Sequence, residues 1–195
     1  MARIRGANSF HTADVTKNTE DEYIADTPVK TERIISIEID TKADSEFLYS
    51  DDEIEEEVEG TVERTGKVEL NYLSNETKVK ILGGSIDANG VYFPPEEGAP
   101  KKHVALLFKA PTGNAKNKLM CYYDVTFKEP KVKMETSENK PKTQTVELEF
   151  TCYKNKFLGK HYCDLDMNGT DANSVIEEQW FSAVYNEIAS TPATP

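Results

Sequence analysis

From Glu32 onward the chain alternates. Ile35, Ile37 and Ile39 are separated by Ser36, Glu38 and Asp40, the two-residue period of a strand with one buried face. Further along, Ile54, Val58, Val62, Val68, Leu70 and Tyr72 all fall on even positions. The odd positions hold Glu53, Glu55, Glu57, Glu59, Thr61, Glu63, Thr65, Lys67, Glu69 and Asn71. This parity predicts one long strand with an apolar edge and an acidic face. A helix competes for Ile54, Val58 and Val62, which are also four apart. Gly60 and Gly66, with the β-branched Val58, Thr61, Val62 and Thr65, favour the strand and place the glycines as bulges or bends. Residues 32–73 are therefore expected to form an elongated β-hairpin, its tip at Ser50, Asp51 and Asp52.

Residues 1–31 are polar and weakly patterned, and read as an extended arm or short strand. Ser74 to Gly84 carries an N-cap candidate and a glycine stop, which predicts a short helix. Asp87–Gly90 reads as a turn and Phe93–Pro100 as a loop. His103–Lys109 is a nearly continuous apolar run, expected as a strand. Leu119, Cys121, Tyr123, Val125 and Phe127 are expected on one face of a second, and Val146, Leu148, Phe150 and Cys152 on one face of a third. Pro130–Pro141 between them is polar and loop-like. After a turn near Asn155, Phe157–Leu165 is expected as a short strand. Ser174-Val-Ile-Glu177 has the form of a capping box, opening a helix that presents Ile176, Trp180, Phe181, Val184 and Ile188 on one side. Residues 190–195 are expected to be disordered. No repeat or linker divides the chain, so 1–195 reads as a single mainly β (α+β) domain, a β-sandwich or barrel with a long hairpin, one short helix and a C-terminal helix.

Composition narrows the function. The 195 residues carry 23 Lys and Arg against 35 Asp and Glu, a formal charge of -12. Such a chain repels phosphate backbones, which argues against nucleic-acid binding by charge. No apolar run is long enough for a membrane-spanning helix. Three sparse cysteines suit free thiols better than a disulfide framework. Asp51–Glu63 holds eight acids and no base, a run that would ordinarily be a solvated loop but for its parity.

Chemistry is hard to place. His11, His103 and His161 lie in no nucleophile or metal motif, and His161 with Cys163 would supply only two of the ligands a zinc site needs. Asp164, Asp166 and Asn168, followed by Gly169, match the opening of a calcium loop. The match fails at the twelfth position, Val175, where a bidentate carboxylate is required. A turn leading into a helix is the simpler reading. No cofactor is implied, and a non-enzymatic role follows.

The order of short motifs resembles a family. Thr27-Pro-Val-Lys30, Gly60 to Leu73 with a helix ending Ile81-Leu-Gly83, and Asp87-Ala-Asn-Gly-Val91 before His103-Val-Ala-Leu-Leu-Phe108 are points of similarity. Cys121-Tyr-Tyr-Asp-Val-Thr-Phe-Lys-Glu-Pro130, then Thr143-Gln-Thr-Val-Glu-Leu-Glu-Phe150, is the most specific, and Trp180-Phe-Ser-Ala-Val-Tyr185 fits the ending. Together they resemble the major tail tube proteins of long-tailed, non-contractile phages of Gram-positive bacteria. The resemblance implies subunits assembled in the host cytoplasm into stacked hexameric rings within a virion tail. Each long hairpin would add strands to an inner barrel, and DNA would pass an acidic lumen without adhering. Partners would be other copies and further tail proteins such as tape measure, tail terminator and baseplate, with no membrane. On this reading Glu53, Glu55, Glu57, Glu59 and Glu63 line the lumen or a ring-stacking surface. Two rivals stand beside it: a monomeric β-sandwich binding a ligand or carbohydrate, and the inner tube of a contractile tail or tail-like bacteriocin.

Overall fold

The computed structural model describes residues 3–50, 53–130, 145–170 and 172–186, with side chains described outside 44–50 and 53–61. Among the described residues, eleven strands and two helices follow in order: β1 (Asn8–Asn18), β2 (Tyr23–Ala25), β3 (Val29–Lys30), β4 (Ile34–Ser50), β5 (Glu53–Leu70), α1 (Asn75–Leu82), β6 (Ser85–Ile86), β7 (Tyr92–Phe93), β8 (Val104–Pro111), β9 (Asn117–Phe127), β10 (Val146–Tyr153), β11 (Tyr162–Asp166) and α2 (Ser174–Gln179). The fold is mainly β and sandwich-like. Nine strands form one antiparallel sheet in the order β2-β1-β8-β9-β10-β5-β4, with β11 also on β9 and β3 also on β1. The sheet branches at β9, which pairs with β8, β10 and β11.

β8 explains the branching sheet's two cores. Val104, Leu106 and Phe108 point into one cluster with Phe10, Val68, Leu70, Leu148 and Phe150. Ala105 and Leu107 point into a second with Ala13, Leu119, Cys121, Tyr123 and Trp180. A central strand buried on both faces has no polar side to show, hence its unbroken apolar sequence. Ile81 of α1 belongs to the first cluster, and Ile176, Phe181 and Val184 close the second.

The long hairpin is present: β4 and β5 pair antiparallel from Ile34↔Leu70 to Ser50↔Glu53. Its details differ from parity alone. Between Ile34 and Ser36 the register shifts by one residue, so Ile34 packs on the core and Ile35 is exposed. The bulge, invisible to a period-two count, moves the side chain across the sheet. Gly60 does lie in a bulge, because Ala43 faces Val62 whereas Ser45 faces Glu59. Gly66 does not. It sits opposite Ile39 and Phe150, and its missing side chain makes room for the Phe150 ring. Tyr72 lies past the strand and is exposed; Leu73 is buried in its place.

Other corrections share that cause. On β9, Leu119, Cys121 and Tyr123 face the second core but Val125 and Phe127 face the first. A register shift opposite Val104–Leu106 inserts one residue at Tyr123–Asp124 and switches the faces. Residues 8–18, expected as arm or short strand, form β1 paired to β8, with Phe10 and Ala13 buried. The last strand starts at Tyr162, because Asn155–Lys160 closes a turn first. Asn173, not Ser174, caps α2: its side chain accepts from Val175 N at 2.9 Å. Glu177 instead accepts from Asn117 Nδ2 at 2.7 Å. The helix stops at Gln179, so Trp180 and Phe181 follow it, and Ile188 lies outside the described residues. α1 forms as expected, with Ser74 Oγ accepting from Thr77 N at 3.2 Å and Gly83 ending it at φ 87°. Val146 to Cys152 on β10 and the Asp87–Gly90 turn also stand where the sequence puts them. The Pro130–Pro141 loop and residues 190–195 fall almost wholly outside the described residues.

Candidate assembly surface

The hairpin outgrows the sheet that carries it. β10 pairs with β5 only from Arg64 to Leu70. From Glu63 to the tip, β5 has β4 as its sole strand partner among the described residues, and β4 is itself the last strand in the order. A two-stranded ribbon therefore runs on past the body, with backbone donors and acceptors open along both edges. Residues 53–63 of such a ribbon span about 30 Å at ~3.3 Å per residue. Two-stranded ribbons are marginal alone in water, and open edges invite pairing with another chain.

Charge changes sharply at the ribbon's root. On the shared sheet, acids have partners: Lys67 Nζ lies 3.1 Å from Glu147 Oε1, and Lys128 Nζ 3.2 Å from Glu149 Oε2. Ser36 and Thr145 hydroxyls donate to the two oxygens of Glu69 at 3.2 and 2.6 Å. Beyond Lys42, which faces Glu63 in register, residues 43–63 contain ten acids and no Lys, Arg or His. Like charges on adjacent strands repel.

Of the acids expected on one face, Glu53, Glu57, Glu59 and Glu63 stand opposite Ser50, Phe47, Ser45 and Lys42. Glu55 falls in a register shift between Leu48↔Glu56 and Tyr49↔Ile54, and Gly60 in another. The β5 backbone alternation is therefore interrupted twice within the acidic stretch. Ser50 ends β4, and Asp51 and Asp52 lie outside the described residues.

The weak calcium candidate is built differently. Asp164 is on β11, where its Oδ2 lies 2.9 Å from Lys118 Nζ. Asp166 Oδ1 accepts from the Asn168 backbone and side-chain nitrogens at 2.9 and 2.8 Å, which holds its carboxyl below the usual range. The Lys118 ammonium paired with Asp164 opposes a dication there. Among the described residues no three His, Cys, Asp or Glu cluster as metal ligands do. His161 has a pKa lowered by burial, and Cys163 pairs in register with Cys121 instead of turning toward a site. All three cysteines are free thiols, and burial pushes Cys152 up to about 12.

The sequence reading missed one cluster. Asp124, at the β9 bulge, is 3% exposed. His103 Nδ1 lies 2.6 Å from its Oδ1, and Asn18 Nδ2 donates to Oδ2 at 2.7 Å. The bulge that creates this inward carboxylate comes from pairing, and no local motif announces it.

Residues 23–176, most of the chain, match the family described as phage tail tube protein. The chain belongs to the phage tail tube protein family. Among curated proteins, none matches it. Membership makes this tail tube protein a structural component of a phage tail, with the sandwich-like sheet as its body and the acidic ribbon running on past it. No helix among the described residues is long and apolar enough to cross a membrane.

Proposed function

We propose that the chain is the repeating subunit of the tail tube, self-assembling into stacked hexameric rings whose channel conducts viral DNA. The ribbon beyond Arg64 carries this reading. It has open edges on both sides, ten acids without a base, and family membership that gives such an element a use. Edge pairing between copies would satisfy the ribbon's backbone groups, and closure into a ring would leave no open edge. Glu53, Glu55, Glu57, Glu59 and Glu63 then belong to the lumen or to a ring-stacking surface, with Ser50, Asp51 and Asp52 at the tip. In a lumen, their field repels DNA phosphates and lets the duplex slide. Assembly takes place in the host cytoplasm, with the other tail proteins meeting the tube at its ends and inside it.

Negative-stain microscopy and sedimentation of the concentrated full chain test this. Rings or tubes with a central channel are expected. A protein that stays monomeric at every concentration and salt condition would sink the reading.

A further inference from the structure

Two hollows at one end of the sheet share Tyr153 and Lys154. The smaller of them, about 690 Å³, lies between the end of β1, the start of β8 and the chain leaving β10. Lys17, Lys154, Lys156 and His103 line it, and Asp124 is its one acid. Both oxygens of that buried carboxylate are engaged by His103 and Asn18. Asn18 also donates to the Lys154 carbonyl at 3.1 Å and accepts from the Lys156 backbone at 2.8 Å. The two lysines are thus carried on a backbone held in place. Neither has an ion-pair partner among the described residues, whereas Lys17 lies against Glu22 at 2.5 Å. The adjoining hollow adds Arg64 and Lys128, with Glu63 as its acid.

A cationic band of this kind, on a chain of charge -12, sits beside the root of a ribbon that has no base at all. We propose that this recess is the docking site for the acidic ribbon of a second copy of the chain, so that Lys154 and Lys156 meet carboxylates of residues 51–63. The inference rests on the self-assembly proposed above and names the surface that receives the ribbon. The subunit's own ribbon brings only its root, Val62 and Glu63, to the adjoining hollow. Antiparallel pairing with β4 carries the backbone of 53–61 on past them, about 30 Å to the tip by the strand rise. Complementary charge steers the encounter and fixes the register of one copy on the next. The repulsion within each ribbon is offset in the same step.

Zero-length carbodiimide coupling of an assembled mixture of 15N-labelled and unlabelled full chains tests the contact. The expected products are amide bonds joining Lys154 or Lys156 of one isotopic form to an acid of residues 51–63 of the other. Assemblies in which those lysines couple only within a chain, or only to other acids, overturn the proposal. A chain that never assembles overturns it together with the function proposed above, so the two failures are distinguishable.

Charge exchange supplies a second readout. K154E/K156E should raise the concentration for half-assembly about tenfold, roughly 1.4 kcal/mol, with an unchanged circular dichroism spectrum and melting point. Adding E57K/E59K to it should recover most of the loss. Unchanged assembly of K154E/K156E, or no recovery in the combined variant, counts against the docking. So does retention of random-sequence duplex DNA at about 150 mM salt by the wild type and not by K154E/K156E, which would assign the recess to phosphate.

Discussion

Gly66 stands where three strands crowd together. A Cβ there would lie 2.4 Å from Phe150 Cζ and 2.5 Å from the Glu38 carbonyl oxygen. A ring can tilt away, but that oxygen is held by strand pairing. Gly66→Ala is expected to destabilise the fold by about 2 kcal/mol, as overpacking in a filled core does, read as a lower urea midpoint. Shrinking the ring in Gly66→Ala/Phe150→Leu should recover only part of it, because the carbonyl stays. A midpoint unchanged by Gly66→Ala would show that the strands can part at no cost. The position reads in the sequence only as a glycine in a strand, compatible with a bend. Its meaning comes from Phe150, more than eighty residues away in the chain and directly opposite in register.

At the scale of elements, α1 shows local and distant signals acting together. Ser74 caps the helix from within the motif. Glu32, just before β4, adds a second cap: its Oε1 accepts from Ser74 N at 3.2 Å and Thr77 Oγ1 at 3.1 Å. Those hydrogen bonds, Ser74's foremost, hold the Glu32 carboxyl below its ordinary 4.5. A lowered folded value means that the stabilisation is complete above about 4.5 and is lost as pH falls through the folded pKa. Ser74→Ala should lower stability by about 1 kcal/mol. Glu32→Gln should be less stable than wild type at neutral pH, with the gap closing in acid. A gap of constant size down to low pH would mean that the charge plays no part.

At the scale of the whole molecule, the body and the ribbon are separable. Neither core cluster includes a described residue between Lys42 and Glu63. Those two residues face each other in register, so a two-residue Asn-Gly turn can join them and replace 43–62. The shortened chain is expected to fold with a melting point close to wild type, yet to remain monomeric in sedimentation. Tubes formed by the shortened chain would remove the ribbon from assembly. For the intact chain, the concentration for assembly should respond to salt, since screening weakens both the repulsion within ribbons and the attraction between ribbon and recess. The family match, residues 23–176, covers the whole ribbon and the body apart from β1, and the ribbon's role in assembly is a proposal that this deletion tests.

The amino-acid sequence by itself determined the mainly β class, the long hairpin, the capped α1 and the buried face of β10, because each follows from a period or a cap written into neighbouring residues. It also carried the family, through the order of short motifs. It placed the acidic run on a strand against the pull of composition. Only the tertiary structure decided which side of the sheet Ile34, Ile35, Val125 and Phe127 occupy, because one inserted residue in a partner strand reverses a period-two pattern without leaving a trace in local sequence. It likewise decided that residues 8–18 form a core strand: Phe10 and Ala13 are too few to show a period until β8 lies beside them. The Asp124–His103–Asn18 cluster and the lysine recess above it join segments from four parts of the chain. No spacing between neighbours could have revealed them, since what brings them together is the pairing of β1, β8, β9 and β10.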